Sequence, residues 1–155
     1  MTKLKPSEIY VRDAQESDLA FIFSSWLKSY RGGFQSHMIE NTIYYTEQHK
    51  LIERLLQRCT VQIACNPATP EDIFGYVVHE RIDGIFVLHC AYIKHPFRRL
   101  GIFLTLLEKA GFDRTSAGLF THATRATYAT GHRLGMVYHP YILTNYLHKK
   151  EGDNV

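Results

Sequence analysis

The sequence predicts a single domain of mixed α/β class, in which helices flank a central, mostly antiparallel sheet. Its 155 residues are 45% hydrophobic and 21% charged, which is the composition of one soluble globular core. Stretches with a helical period of apolar residues alternate along the chain with short β-rich stretches. An Asp83-Gly84 pair separates two of the β-rich stretches, as is typical of an antiparallel hairpin. We predict one domain over residues 1–148 and a flexible tail over residues 149–155.

The first elements are a strand and two helices. Residues 9–12 alternate as in a short strand, and Asp13 and Glu16 have the spacing of a capping box at a helix start. Gly32 and Gly33 are expected to end the first helix, since glycine tolerates a left-handed closing conformation. A second helix is predicted over residues 42–58. The apolar positions of the first helix are Leu19, Ile22, Phe23, Trp26, Leu27 and Tyr30.

Strands are predicted over most of the next segment. They cover residues 61–65, 74–80 and 85–93, with a turn at 66–70, where two prolines cannot donate to a strand ladder. Helical periodicity returns over residues 98–111. The remaining predictions are a short strand at 119–123, a helix at 124–133 and one or two closing strands at 136–147, broken at Pro140.

The charge and the cysteines restrict the class of partner. Lysine and arginine outnumber aspartate and glutamate by 18 to 15, and basic stretches occur at residues 95–99 and 148–150. This small excess favours an anionic small ligand over a nucleic acid. The three cysteines lack CxxC spacing, and the histidines lack the helical spacing of a zinc pair, so we expect reduced thiols and no metal. No signal peptide or membrane span is predicted, which indicates a cytoplasmic protein without a membrane partner.

One strand-to-helix junction has the features of an anion-binding site. The strand at 85–93 runs through a basic, glycine-containing loop into the helix predicted at 98–111. Free backbone N–H groups and the positive end of the helix dipole coincide at such a start, and this combination binds phosphate. Arg98 and Arg99 add guanidinium groups that can hold the same anion.

This junction, together with the element order, resembles the GNAT N-acetyltransferases. Their pyrophosphate loop reads Q/R-x-x-G-x-G/A after the fourth strand; Arg98 matches its first position and Gly101 its first glycine, whereas Phe103 stands at its last position. The resemblance runs from residues 11–14 (VRDA) to residues 134–136 (LGM). Residues 25–31, 94–99 and 121–124 are similar to small GNAT-like proteins encoded by bacteriophages.

The resemblance implies acetyl-CoA as cosubstrate and direct transfer of its acetyl group to an unidentified primary amine on a small molecule or a protein, in a ternary complex. It also implies no metal and a possible homodimer through the closing strands. The pantetheine would lie along Ala91, Ile93 and Lys94. The diphosphate would be held by Arg98, Arg99, Leu100, Gly101, Ile102 and Phe103.

Catalytic groups are harder to assign. Many family members place the tyrosine that protonates the thiolate at the position of Gly131, so Tyr128, one turn earlier, is predicted as the acid. His89 on the fourth strand is predicted as the base, because an ordinary histidine pKa of about 6.5 suits proton removal, and His122 is the competing candidate. The residues predicted to recognise the acceptor are Ser25, Tyr30, Tyr45, His49, His122, Tyr138 and Tyr141.

Two departures from the family pattern leave an alternative open. Phe103 either crowds the diphosphate or points into the core with its helical neighbours. With Gly131, it motivates a second hypothesis, in which the chain is a catalytically inactive GNAT-fold binding or accessory protein of phage origin.

Overall fold

A computed structural model describes residues 4–33 and 36–147 of the chain. The tail predicted at 149–155 and the basic stretch at 148–150 lie outside these residues. The strands are β1 (Tyr10–Asp13), β2 (Thr60–Asn66), β3 (Thr69–Ile82), β4 (Ile85–Ile93), β5 (Gly118–Phe120) and β6 (Met136–Tyr138). The α-helices are α1 (Leu19–Arg31), α2 (Asn41–Arg58), α3 (Ile102–Lys109), α4 (Arg125–Arg133) and α5 (Thr144–Leu147).

All six strands form one sheet in the order β1-β2-β3-β4-β5-β6. The pairs from β1 to β4 are antiparallel, whereas β5 and β6 continue the sheet in parallel. The predicted mixed α/β class, with a mostly antiparallel sheet and flanking helices, is therefore confirmed.

Two hydrophobic clusters hold the helices to the sheet. One joins α3 to the strands through Ile102, Leu106 and Leu107, packed with Phe86 and Phe120. The other joins α1, α2 and α5 to the strands, and its members include Ile22, Trp26, Ile52, Tyr76 and Tyr146. Burial of these side chains is the main favourable term in folding, at about 1.5–3 kcal/mol for each large apolar side chain.

The start of α1 differs from the predicted capping pair of Asp13 and Glu16. The backbone N–H of Gln15 instead donates to the Asp18 carboxylate at 2.7 Å. The same carboxylate accepts two hydrogen bonds from the guanidinium group of Arg12, at 2.7 and 3.0 Å. Asp18 therefore caps the turn before α1 and also ties it to β1, which the local spacing of acids could not reveal.

The end of α1 lies at the predicted glycines, but for another reason. Gly32 has φ −79°, so it does not adopt the left-handed conformation that we expected. A Cβ at Gly33 would lie 2.6 Å from the carbonyl oxygen of Ala123. Close approach of two backbones, rather than a left-handed closing residue, requires the second glycine.

The helix α3 begins at Ile102 instead of Arg98. Arg99 and Gly101 have φ values of 65° and 86°, which no α-helix accommodates. The basic residues therefore belong to a loop before the helix and not to its first turn.

The turn after β2 and the strand β5 are both shorter than predicted. β3 already begins at Thr69, which pairs with Asn66 across a tight turn. The carbonyl of Pro70 accepts a hydrogen bond from the Arg12 side chain at 3.1 Å, which ties this turn to β1. β5 ends at Phe120, and the N–H of Thr121 still donates to the Leu88 carbonyl at 3.1 Å.

The second predicted closing strand is absent from the described residues. After β6, Pro140–Leu143 forms a 3-10 helix and α5 follows. Proline at its first position favours this turn and cannot extend a ladder. Within the part of the chain that the structure describes, no helix has the length and apolarity of a membrane span.

Candidate functional site

The parallel strands β4 and β5 pair at three positions and then diverge. The last pair is Leu88 with Phe120. A β-bulge interrupts the β3–β4 register at the same level, since Val78 pairs with Cys90 but His79 pairs with Leu88. His89 is thus the extra residue of β4, placed where the two parallel strands separate.

A chain of buried polar side chains starts at this bulge. Nδ1 of His89 lies 2.8 Å from the Thr121 hydroxyl, which lies 3.1 Å from Nδ1 of His122. Nε2 of His122 lies 2.9 Å from the amide nitrogen of Gln48 on α2. The two histidine rings and Thr121 are at most 1% exposed. These groups bridge the vertex of the strand divergence, since they join β4 to the residues that follow β5.

Glu80 of β3 continues the chain on the other side of His89. Its Oε2 lies 2.5 Å from Nε2 of His89. The Tyr146 hydroxyl donates to the same oxygen, and Sγ of Cys59 lies 3.4 Å from it. Three donors from three separate elements therefore converge on one carboxylate oxygen.

The hydrogen bonds assign the protons of this chain. Burial raises the pKa of Glu80, but the bonds from His89 and Tyr146 outweigh burial and lower it to about 2. Because an ionised Glu80 can only accept, Nε2 of His89 donates to it, and in the tautomer that carries no proton on Nδ1 this second nitrogen accepts from the Thr121 hydroxyl. Thr121 then accepts from Nδ1 of His122. Burial lowers the pKa of His122 to about 3, which makes it a weak base.

The loop between β4 and α3 presents backbone donors. Arg99 and Gly101 both have a left-handed backbone conformation. The N-cap residue Gly101 has no side chain that could accept a hydrogen bond from the N–H groups in the first turn of α3. The N–H groups of Ile102 and Phe103 in this turn have no intrahelical acceptor. This uncapped helix start fits an anionic oxygen ligand.

Arg98 and Arg99 lie exposed beside this helix start. Nε of Arg98 donates to the Ile93 carbonyl at 2.9 Å, which folds the guanidinium group back over the end of β4. Its two Nη groups are not needed for that bond. The donors of the loop therefore fit a diphosphate, and the side chain of Arg98 also crosses the strand end predicted for pantetheine.

The end of β4 that is predicted to line the pantetheine begins with a residue that has a small side chain, Ala91. Ala91 is buried, whereas Ile93 and Lys94 are half-buried. Ala123, on the segment that departs from β4, is also buried. Nζ of Lys94 lies 5.0 Å from the centroid of the Phe21 ring, on the side of α1.

The two departures from the family pattern have packing explanations. Phe103 is half-buried and packs against the cluster that holds α3. A Cβ at Gly131 would lie 3.2 Å from the Phe120 ring, so α4 packs too closely for a tyrosine at that position. Tyr128, the predicted acid, is 40% exposed, and its ring centroid lies 6.3 Å from that of Phe120 and 5.1 Å from that of His132.

Some of the residues predicted to recognise the acceptor lie together. The rings of Tyr30 and His122 are 4.6 Å apart. Burial raises the pKa of Tyr30, and the nearby Tyr138 hydroxyl raises it further. Tyr30, His122 and Tyr138 thus form one group near the strand divergence.

The other acceptor residues lie elsewhere. Ser25 is buried, and its hydroxyl bonds to the Tyr76 hydroxyl at 2.8 Å, so it holds the core instead of presenting a polar tip. His49 stacks on Phe23 on an exposed part of α2 and pairs with Glu53 at 2.9 Å. Tyr45 and Tyr141 are exposed. A role of these residues in acceptor recognition stays a prediction.

Sequence reasoning missed Glu80, the partner of His89. One signal could have found it, because pairing outward from the Asp83-Gly84 turn sets Glu80 opposite Val87. His89 is then its diagonal neighbour on the same face. Cys59 and Tyr146 gave no such signal, since their approach depends on how α2 and α5 dock.

Two solved structures match the fold over nearly their whole length. A Pyrococcus furiosus protein assigned as an acetyl transferase has a TM-score of 0.51 and 18% identity over 93% of this chain and 95% of that chain. A Clostridium difficile 630 protein assigned as an acetyltransferase has a TM-score of 0.51 and 17% identity over 84% of this chain and 91% of that chain. The fold is that of the GNAT acetyltransferases, as the sequence predicted.

A third match is partial. A glucosamine N-acetyltransferase region of a fungal multi-domain β-N-acetylglucosaminidase matches 69% of this chain at 17% identity and a TM-score of 0.48, and this chain spans 12% of that protein's length. No family model matches the sequence, and no curated protein matches it. The likeness to phage-encoded proteins stays a prediction.

Proposed function

We propose that the protein is an acyl-CoA-dependent N-acetyltransferase that transfers an acetyl group to a primary amine by direct attack. The observation that carries the proposal is the uncapped start of α3, which the basic loop joins to the end of β4, beyond the last residue that pairs with β5. Its fold neighbours are named as acetyltransferases, which supports the same reaction class.

The diphosphate of CoA would be held by the N–H groups of Ile102 and Phe103 and by the side chains of Arg98 and Arg99. Backbone donors at a helix start and guanidinium groups are the usual partners of phosphate oxygens. When bound, acetyl-CoA supplies an activated thioester. The strand residues Ala91–Lys94 would orient it, once Arg98 releases the carbonyl of Ile93.

The proposal does not depend on a side-chain base. Both ring nitrogens of His89 already have partners, and the ring is fully buried. His122 is buried and weakly basic. An acceptor amine that arrives neutral needs only alignment, and alignment of reactants can supply roughly 7–11 kcal/mol of barrier reduction.

Tyr128 remains the proposed acid, because it presents a half-exposed phenol on α4 beside the end of β5. Tyr30 and Tyr138 are the groups best placed to contact an acceptor. A primary amine as the acceptor, a homodimer and a cytoplasmic location stay predictions.

Calorimetric titration with CoA and acetyl-CoA tests the proposal directly. We expect saturable binding to the full chain, followed by release of free thiol when a panel of primary amines is added with acetyl-CoA. Failure to bind either form of CoA at millimolar concentration would overturn the proposal. Replacing Tyr128 with Phe should lower turnover without weakening CoA binding.

A second function is favoured by one observation. The hydrogen-bonded side chains of His89, Thr121 and His122 bridge the vertex of the strand divergence. A protein that keeps this vertex closed would bind CoA or a partner without catalysing transfer. CoA binding with no thiol release across the whole amine panel would favour this accessory role.

A further inference from the structure

A cluster of three metal-ligand side chains lies beneath the α2–β2 corner, away from the uncapped start of α3. The thiol of Cys59, the carboxylate of Glu80 and Nε2 of His89 all lie within 4.8 Å of one another. They come from the end of α2, from β3 and from the bulge of β4. We propose that these three side chains bind a zinc ion.

The donor set suits this metal. Thiolate, imidazole and carboxylate are the three protein ligands that zinc uses, commonly with water in a fourth position. Oxygen-only cations such as Mg²⁺ and Ca²⁺ avoid a thiol. The chemistry of Cys59 and His89 therefore selects zinc over the hard cations.

Binding the ion would need a shift of the Glu80 carboxylate. Oε2 of Glu80 now lies 2.5 Å from Nε2 of His89 and 3.4 Å from Sγ of Cys59. Zinc bonds these atoms at about 2.0–2.1 Å and about 2.3 Å respectively. The carboxylate oxygen thus stands near the place that the ion would take, and Glu80 would move aside to ligate while Tyr146 keeps its bond to the carboxylate.

The surroundings of His89 are those of a metal ligand. Its second nitrogen, Nδ1, is held by the Thr121 hydroxyl at 2.8 Å, and such an outer hydrogen bond orients most ligating histidines. Zinc on Nε2 would place the proton on Nδ1, which then donates to Thr121. Thr121 would donate to Nδ1 of His122. A flip of the Gln48 side-chain amide by about 180° would then let its oxygen accept from Nε2 of His122. Every member of the chain stays satisfied in both states.

A surface cavity gives the ion a route to Cys59. The cavity holds about 350 Å³, and Cys59 is part of its wall together with Leu56, Thr60 and Val61. Asp13 and Glu16 also line it, and their carboxylates attract a cation. Binding would release the thiol proton of Cys59 as the thiolate bonds to zinc, with no change of oxidation state.

Cobalt(II) is the probe, because it takes zinc sites and absorbs light. We would strip the full chain with a chelator, remove the chelator and titrate with cobalt chloride under a phosphine reductant. We expect a thiolate-to-cobalt band in the near ultraviolet, visible bands of the intensity typical of tetrahedral cobalt, and loss of both when zinc is added. These readouts do not depend on CoA binding or turnover, so this proposal and the proposed function fail separately.

Variants identify the ligands. Cys59→Ser should abolish the thiolate band, whereas Cys65→Ser, at a thiol outside the cluster, should keep it. Glu80→Gln and His89→Gln should weaken cobalt binding at least tenfold, and Thr121→Val should weaken it by about 10–100-fold, as loss of an outer hydrogen bond does. Circular dichroism would check that each variant is folded.

Two results would overturn the proposal. One is a folded, metal-free wild-type chain that shows no thiolate-to-cobalt band at millimolar cobalt. The other is a band that persists in folded Cys59→Ser. Zinc should also raise the melting temperature of wild type and not of Cys59→Ser, since a ligand that binds only the folded state stabilises it.

Discussion

Gly33 packs so closely against Ala123 that a Cβ at position 33 would lie 2.6 Å from the Ala123 carbonyl oxygen. The contact joins the end of α1 to the segment that departs from β4. It therefore fixes one wall of the strand divergence on which the proposed function depends.

Replacing Gly33 with Ala should destabilise the fold by about 1–3 kcal/mol, as inserting a methyl group into a closely packed site does. The backbone oxygens of Ala123 and Tyr30 cannot move aside as a flexible side chain can. Urea denaturation, followed by tryptophan fluorescence of the buried Trp26, would measure the loss.

Gly32→Ala is the matched control for this prediction. The nearest atom to a Cβ at Gly32 is 3.9 Å away, and its φ of −79° is open to any residue. This variant should be neutral or slightly stabilising, because alanine restricts the unfolded chain. Equal losses for the two variants would show that the α1–Ala123 contact is not tight.

The ion pair of Arg12 and Asp18 predicts a stability that depends on pH. The two side chains are 9% and 6% exposed, and the bond from Arg12 lowers the pKa of Asp18. A lowered folded-state pKa means that this stabilisation is present above the ordinary aspartate value of about 4 and is lost as pH falls below it.

Asp18→Asn should cost about 3 kcal/mol at neutral pH, because removing one partner leaves the other charge buried. Its free energy of unfolding should also fall less steeply than that of wild type below about pH 4. Urea denaturation over a pH series checks both expectations, with Glu53→Gln at an exposed pair as the control. Parallel pH profiles for wild type and Asp18→Asn would contradict the assignment.

The sequence could predict the elements, because their order depends on local periods and turn residues. It predicted the 85–93 strand at its observed bounds and α2 to within one residue. It failed where distant segments decide the local structure. Asp18 caps one turn while it pairs with Arg12, and the segment after Pro140 packs as a helix.

The candidate site shows the same division. The segment from Arg98 to Phe103 is continuous in sequence, so its motif could be recognised. Because Arg99 has a left-handed backbone conformation, however, α3 begins at Ile102, four residues after the predicted start at Arg98. The cluster around Glu80 is assembled from four segments. No spacing rule along the chain joins Cys59 to Tyr146, and only the docking of α2 and α5 brings them to β3.

Ser25 and Tyr76 give a prediction that separates packing from acceptor recognition. Their hydroxyls lie 2.8 Å apart inside the core, and Tyr76 also donates to the Ile22 carbonyl at 3.1 Å. Ser25→Ala should lower stability by about 0.5–1.5 kcal/mol, since it removes a buried hydrogen bond while the Tyr76 hydroxyl keeps its bond to the Ile22 carbonyl. Denaturation of the single variants and of Ser25→Ala with Tyr76→Phe would give the coupling between them.

If Ser25 instead contacts the acceptor, Ser25→Ala would raise the KM for the amine with little change in stability. We expect the opposite pattern. Tyr30→Phe, at a half-buried tyrosine beside His122, is the comparison variant that should raise the KM for the amine.

Arg98 gives the sharpest test of the diphosphate site. Arg98 is exposed beside the uncapped start of α3, and its Nε donates to the Ile93 carbonyl at 2.9 Å. Arg98→Ala should therefore change stability by less than about 0.5 kcal/mol. It should weaken CoA binding by about 1.5–3 kcal/mol, the worth of a charge-assisted bond to phosphate.

Lys109→Ala is the matched control, because it removes one exposed positive charge from the other end of the same helix. Titration calorimetry of both variants with CoA, and with dephospho-CoA, which keeps the diphosphate, separates a local contact from a general loss of positive charge. We expect Arg98→Ala to weaken both ligands by the same factor while Lys109→Ala leaves both nearly unchanged. Equal weakening by the two variants would place the diphosphate elsewhere and remove the observation on which the acetyltransferase proposal depends.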